Sequence, residues 1–252
     1  MNEYLLSPQA IVMVQGSSKG AQRKYYEDGY WYKVNNAGYE GLAEYLVSRV
    51  LECSNIKDFV RYEQCKVNGR AGCRSESFLG TGEAFLSFQR LYELYTGENL
   101  QERIRLISDV LGRIRFVVDF VIDHTGLDCT EYLSQILTLD MLVLNTDRHF
   151  HNLGIVVNSI TGEYKAAPVF DNGNSLLSDW EMFSEETIEE NIEHVYGQPF
   201  SASLEIQAYE AGIGLKLDYN RLDELLSHEP ESRGMAVLRY QLERYRKMIS
   251  IA

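Results

Sequence analysis

Hydrophobic and polar positions follow two rhythms along this chain, a strand-like one at the start and a helical one over most of the remainder. Ala10 to Gln15 reads as a short apolar strand. Tyr25-Tyr26 and Tyr30 to Val34 are aromatic-rich and joined through Glu27-Asp28-Gly29. An Asp-Gly pair between such segments predicts a hairpin, because both turn positions need a positive φ. Tyr62 to Val67 and Ala71 to Phe78, around Asn68-Gly69, predict a second hairpin for the same reason. Between the two, Leu42, Tyr45, Leu46, Arg49 and Val50 recur at helical spacing, so Tyr39 to Leu51 is expected to be an amphipathic helix.

Beyond Phe78 the pattern turns mostly helical, over Phe85 to Tyr95, Gln101 to His124 and Glu131 to Leu144. The last is apolar nearly all round, which places it inside a bundle. A β-branched run, Leu153 to Val157, then meets a Thr161-Gly162 turn and Tyr164 to Phe170, a strand pair directly after the most apolar helix. Leu204 to Ala211, Arg221 to Ser227 and Ala236 to Ile251 return to helix, and the acidic run Glu185 to Glu193 reads as a solvated helix face or loop. With no internal repeat, no low-complexity linker and four prolines, the expectation is an α+β chain. It divides into a small β-rich part with one helix, 1–78, and a large helical part, 79–252.

Charge narrows the choice of partners. Thirty-seven Asp and Glu against 24 Lys and Arg give a net charge of −13. Such a chain repels nucleic-acid backbones, and a bound polyphosphate must be held by a few placed cations, backbone donors and divalent metal. No stretch approaches a membrane span and Met1-Asn2-Glu3-Tyr4 opens no secretory signal. Cys53, Cys65, Cys73 and Cys129 include no Cys-x-x-Cys pair, so reduced thiols in a cytoplasmic protein are expected.

The candidate chemistry flanks the strand pair. Before it lies Asn145-Thr146-Asp147-Arg148-His149-Phe150-His151-Asn152, and after it Phe170-Asp171-Asn172-Gly173-Asn174. An Asp-x4-Asn pair alone arises by chance about once in a few hundred residues. The succession of apolar helix, loop, strand, turn, strand and Asp-x-Gly is far harder to obtain by accident. Phosphoryl transfer needs these groups: Asp147 to orient or deprotonate an attacking hydroxyl, Asn152 and Asp171 to hold Mg²⁺ on nucleotide phosphates. A calcium loop counted from Asp171 fails, with Leu176 where Gly is needed and Met182 where Glu is needed. His149 and His151 find no third ligand for zinc at clear spacing; one of them is expected beneath the loop, bonded to backbone carbonyls. Arg148 either neutralises the adjacent carboxylate or is a surface charge.

On the phosphate side, Gly16-Ser17-Ser18-Lys19-Gly20-Ala21-Gln22-Arg23-Lys24 can form a turn over phosphates, though it is no Walker loop. Lys33, within Tyr32-Lys33-Val34, can reach inward to the α- and β-phosphates. It then needs an acid on the next helix; Glu40 and Glu44 stand one turn apart, and Glu40 is preferred.

Gly20 to Lys24, Lys33, Asp147 to Asn152 and Asp171 together resemble the HipA-like serine/threonine kinases, bacterial enzymes known from toxin–antitoxin modules. The resemblance spans roughly residues 10 to 245 and is specific at these patches. It implies a two-lobed protein-kinase-like fold with ATP between the lobes, Asp147 as catalytic base, Asn152 and Asp171 as Mg²⁺ ligands and Lys33 as the phosphate lysine. It also implies a hinge near Glu76 to Phe78 offering backbone groups to adenine. The glycine-containing loop (Gly16, Ser17, Ser18, Gly20, Ala21, Gln22) would cover the phosphates, and Ser17 or Ser18 would be phosphorylated by the enzyme itself. Full-length HipA proteins carry an additional subdomain before this loop, which here begins near residue 16. Antitoxin binding is therefore not carried over, and a partner of that type is left open. The phosphoinositide kinases share an Asp-Arg-His-x-x-Asn loop, matched at Asp147, Arg148, His149 and Asn152. A lipid or small-molecule kinase is thus the first rival to a protein kinase, and a nucleotide-binding pseudokinase the second. No basic cluster stands near these motifs for an anionic head group.

Overall fold

The computed structural model describes residues 1–12, 22–183 and 187–251. Six strands, β1 (Asn2–Tyr4), β2 (Ile11–Val12), β3 (Lys24–Glu27), β4 (Tyr30–Val34), β5 (Glu63–Val67) and β6 (Arg70–Glu76), form one sheet in the order β1-β5-β6-β4-β3-β2. Only β1 against β5 is parallel. Both expected hairpins are present, and Asp28, Gly29, Asn68 and Gly69 all adopt the positive φ that their turns require. Helix α1 (Glu40–Leu51) lies across this sheet. At Gly41 a Cβ would meet the Gly72 carbonyl carbon at 2.6 Å, and at Gly72 one would meet the Lys33 carbonyl oxygen at 2.0 Å. Helix and strands therefore touch backbone to backbone, which only glycine permits, and that approach fixes how far α1 stands from Lys33.

The sheet has a small core of its own, Leu6, Tyr25, Tyr32, Val34, Cys65 and Val67. The opposite face of α1 buries Leu46, Val47, Val50 and Leu51 in the main core of the helical part. Each such side chain contributes about 1.5–3 kcal/mol, so α1 ties the small part firmly to the large one. That large part comprises α2 (Phe88–Thr96), α3 (Leu100–Arg105), α4 (Val110–Thr125), α5 (Thr130–Val143), α6 (Ile188–Glu193), α7 (Leu204–Ala211), α8 (Tyr219–Ser227) and α9 (Arg233–Ile249). As its all-round apolarity predicts, α5 is the central helix, buried from Leu133 to Val143 apart from Gln135. A second sheet joins β7 (Glu83–Ser87), β8 (Gly154–Asn158) and β9 (Tyr164–Ala166) in that strand order.

Three expectations need correction. Phe85 to Ser87 is strand, not helix: it pairs with Gly154 to Val156, nearly 70 residues later, and the helix starts only at Phe88 behind the Ser87 cap. Gln101 to His124 is two helices, because Asp109 caps a new one by accepting the Gly112 N–H at 2.6 Å. The strand expected over Tyr164 to Phe170 ends at Ala166. The acidic run, as expected, carries a solvated helix face: it contains the short α6, started by a reciprocal Thr187–Glu190 capping box. All four cysteines are buried free thiols. Among the described residues, no helix is long and apolar enough to cross a membrane.

Candidate active site

Lys33 sits on β4 directly opposite Lys24 on β3 and Cys73 on β6, so the two lysines share one face of the sheet. The Lys33 ammonium contacts Glu44 of α1 and Asp171 of the loop after β9, and lies 5.2 Å from the centre of the Tyr62 ring. Lys24 reaches the other oxygen of Asp171 at 3.5 Å. Like charges directly opposed on neighbouring strands repel; here the Asp171 carboxylate bridges them. Burial opposes the charge on Lys33, but Asp171 and Glu44 overcome it and hold the ammonium well above its ordinary pKa. Burial likewise works against Asp171, yet Lys33 and Lys24 hold it well below the usual carboxylate range. At Glu44 burial prevails over Lys33 and pushes the carboxyl up.

The acid expected beside Lys33 was Glu40, and the structure corrects this to Glu44. Glu40 is turned into the loop before its own helix, where its carboxylate accepts the backbone N–H groups of Asn36 at 3.2 Å, Ala37 at 2.6 Å and Gly38 at 3.3 Å. Those donors would otherwise be orphans at a helix start, so Glu40 has a structural partner set of its own.

Asp147 and Asn152 lie on the loop between α5 and β8. Asn152 donates its amide to the Asp147 carbonyl at 3.2 Å, which turns its side-chain oxygen, a hard acceptor, the other way. Two side chains stitch this loop to the Asp171 loop. Arg148 donates to the Phe170 carbonyl at 2.8 Å and to Asn172 at 2.6 Å; Asn174 donates to Asp147 at 3.1 Å while its carbonyl accepts the Thr146 N–H at 3.0 Å. Arg148 is no surface charge, and the carboxylate it neutralises is not the adjacent one. It is wholly buried against Asp140 on α5. The histidines also differ from expectation. His149 faces Asp147 at 4.0 Å and packs edge-on to His151 at 5.6 Å, with its Nδ1 buried and unpartnered; the backbone-bracing role falls to Arg148.

Backbone strain gathers around these loops. Leu144, Asp171, Leu176 and Leu177 all have φ between +56° and +59°, a region costly for bulky residues and common at functional sites. Leu176 is held there by its N–H on the Val143 carbonyl at 2.7 Å, and its own carbonyl accepts the Tyr39 phenol at 2.6 Å. Of the hinge residues, Glu76 ends β6 and accepts the Tyr30 phenol at 2.8 Å. Phe78 packs 5.3 Å from Phe170 and 6.0 Å from Phe85, an aromatic cluster one residue from Asp171. Gly16, Ser17, Ser18, Gly20 and Ala21 lie outside the described residues. Gln22 is half-buried and its amide nitrogen has no hydrogen-bond partner among the described residues, a donor suited to an oxyanion.

Sequence reasoning missed Asp140, Tyr62, Asn174 and Gln198. Asp140 left a signal, as the one charged residue within the apolar run of α5. Tyr62, which accepts the Asp171 N–H at 3.3 Å, and the two amides around Asp147 left none, because their partners are distant in the chain.

The sequence matches no family model, and no curated protein matches it. Solved structures do. The Helicobacter pylori proinflammatory kinase CtkA is 15% identical with a TM-score of 0.65, covering 98% of this chain and 94% of that one. A chain of the Shewanella oneidensis MR-1 toxin–antitoxin complex of HipA, HipB and operator DNA is 12% identical with a TM-score of 0.54, covering 92% of this chain and 66% of that one. At such identities the likeness is one of architecture: an N-terminal sheet with its helix, set on a helical C-terminal part, is the fold this chain shares with CtkA and HipA.

Proposed function

We propose that this chain is an ATP- and Mg²⁺-dependent protein kinase that transfers the γ-phosphoryl group to Ser or Thr hydroxyls. The carrying observation is the junction of Lys33, Glu44 and Asp171, contributed by a strand, a helix and a loop, with Lys24 as a second cation on Asp171. Buried charge on three separate elements is costly, and a purely structural pair would not require a second lysine there. Two lysines on one sheet face suit a polyphosphate.

In this reading Asp147 accepts a hydrogen bond from the acceptor hydroxyl and takes its proton as that oxygen attacks the γ-phosphorus and the bond from that phosphorus to the β,γ-bridging oxygen breaks, with ADP as the leaving group. Lys33, oriented by Glu44, and Lys24 exchange Asp171 for phosphate oxygens, which frees the Asp171 carboxylate. The Asn152 oxygen and Asp171 are the hard donors Mg²⁺ takes. No group of three His, Cys, Asp or Glu converges among the described residues, so phosphates and water would complete that ligand set. When bound, the ion draws charge from the β- and γ-phosphate oxygens. The chain's own contribution is positioning and fixed electrostatics.

A protein acceptor is favoured over an anionic lipid by charge. From Ala166 to Leu215 there is no Lys or Arg but ten Asp and Glu, and this stretch includes Gln198, which touches Asp147. An anionic head group would meet repulsion on that side. Ser17 and Ser18 are the proposed positions of self-phosphorylation. HipA occurs with HipB and operator DNA; for this chain an antitoxin-type partner is a proposal that co-purification from the native host would test.

Calorimetry with ATP and Mg²⁺ followed by a turnover assay tests the reading. Wild type should bind and consume ATP, while Asp171→Ala should lose turnover about 10³-fold, equivalent to roughly 4 kcal/mol, with the fold intact. Tight binding without any turnover in wild type would make the chain a nucleotide sensor instead.

A further inference from the structure

The side-chain torsion that aims an Asp carboxylate is broad and roughly two-fold, so a base on a loop does not hold its oxygens in place unaided. At Asp147 each oxygen receives an amide donor from a different element. Asn174, on the Asp171 loop, reaches Oδ2 at 3.1 Å, and Gln198, on the loop between α6 and α7, reaches Oδ1 at 3.3 Å. The same Gln198 nitrogen donates to the Thr146 carbonyl at 3.0 Å, so both of its protons are committed to the catalytic loop.

The loop that carries Gln198 is anchored from three helices. Gln207 of α7 donates to the Gln198 carbonyl at 3.2 Å, Gln101 of α3 to the Pro199 carbonyl at 3.0 Å, and Arg113 of α4 to the Phe200 carbonyl at 2.7 Å. Phe200 is fully buried and packs edge-on against Phe150 of the catalytic loop, with ring centres 5.4 Å apart. Gln207 is itself wholly buried, so its amide is directed by the core. Three polar side chains and one buried ring thus fix a segment of three residues. That segment delivers a single polar group, the Gln198 amide, to Asp147.

We infer that Gln198 is a positioning residue for phosphoryl transfer: it holds the Asp147 carboxylate in the direction that the acceptor hydroxyl requires. A neutral amide suits the task, since it fixes direction without pairing off the carboxylate's charge, as a lysine ammonium would. This inference rests on Asp147 being the base.

The experiment compares Gln198→Ala with Gln198→Glu by steady-state ATP consumption, nucleotide affinity and thermal unfolding, beside Asp147→Asn. Glu keeps the volume of Gln but replaces the donor with an acceptor facing a carboxylate. Both variants should lower kcat by about 10- to 100-fold, Glu at least as much as Ala, with KM for ATP and nucleotide affinity within about twofold of wild type. A Gln198→Glu variant with wild-type kcat would overturn the inference, because only packing would then matter. So would wild-type kcat in Gln198→Ala beside an inactive Asp147→Asn, an outcome that leaves the kinase reading standing. A fully active Asp147→Asn would remove the base, and this inference with it. Independently of turnover, the double variant should be less destabilised than the sum of its single changes; strict additivity would contradict the contact.

Discussion

Arg148 closes on Asp140 with Nε 3.0 Å from Oδ2 and Nη2 3.0 Å from Oδ1, and neither side chain reaches solvent. The same guanidinium holds the Phe170 carbonyl and Asn172, so one buried cation joins the central helix to both loops of the site. Burial alone would push Asp140 strongly up, and Arg148 opposes it. Removing the cation leaves an uncompensated buried carboxylate. Arg148→Ala should therefore destabilise the chain by about 3–5 kcal/mol. At about 2–4 °C per kcal/mol for a chain of this size, thermal unfolding should detect it readily. Arg148→Lys should recover little, since an ammonium cannot span Asp140, Phe170 and Asn172 together. A melting temperature for Arg148→Lys equal to wild type would refute the account of the fork.

Glu44 and Glu40 should separate function from stability. Glu44→Gln removes the charge beside Lys33 and should cut turnover by about 10²-fold or more with the fold retained. Glu40→Ala leaves the Asn36, Ala37 and Gly38 N–H groups without their acceptor and should cost about 1–3 kcal/mol of stability. Its turnover should stay near wild type at a temperature where it is folded. The reverse pattern would reinstate Glu40 as the lysine's partner.

Alkaline pH should destabilise the chain in part through Tyr39. Its phenol donates to the carbonyls of Leu176 at 2.6 Å and Leu177 at 3.1 Å, and burial pushes its pKa up to about 12. A group whose pKa is raised on folding contributes stability that is whole below its unfolded pKa and is lost as pH rises through the folded one. The contribution, about 2–3 kcal/mol, should be present at pH 9 and disappear between about pH 10 and 12. Tyr39→Phe should flatten that slope while lowering stability at neutral pH by about 1 kcal/mol. Denaturant titrations at several pH values would show it; an unchanged slope in the variant would exclude Tyr39 as the cause.

Much of the site was legible because its residues announce themselves locally. Asp147, Asn152 and Asp171 stand at fixed offsets around a strand pair, and Lys33 lies on the second strand of a hairpin whose Asp-Gly turn is unmistakable. Glu40 and Glu44 have equal claims on spacing alone. The choice is made by three backbone donors in the loop before α1, which no pattern of side chains reveals. Phe85 to Ser87 misled for a related reason: a short apolar run fits strand or helix, and its strand partner lies beyond four intervening helices. Gln198 was invisible because a glutamine in a loop carries no periodicity, only a contact.

The most direct test of the account is the fate of the γ-phosphate of ATP. With Mg²⁺ and ATP labelled at that position, purified wild-type chain should acquire acid-stable label on serine or threonine, and Asp147→Asn should acquire about 10³-fold less under the same conditions. Equal labelling of the two proteins, or ATP bound by wild type with its terminal phosphate never transferred or released, would contradict the claim that Asp147 and the junction of Lys33, Glu44 and Asp171 together form a phosphotransfer site.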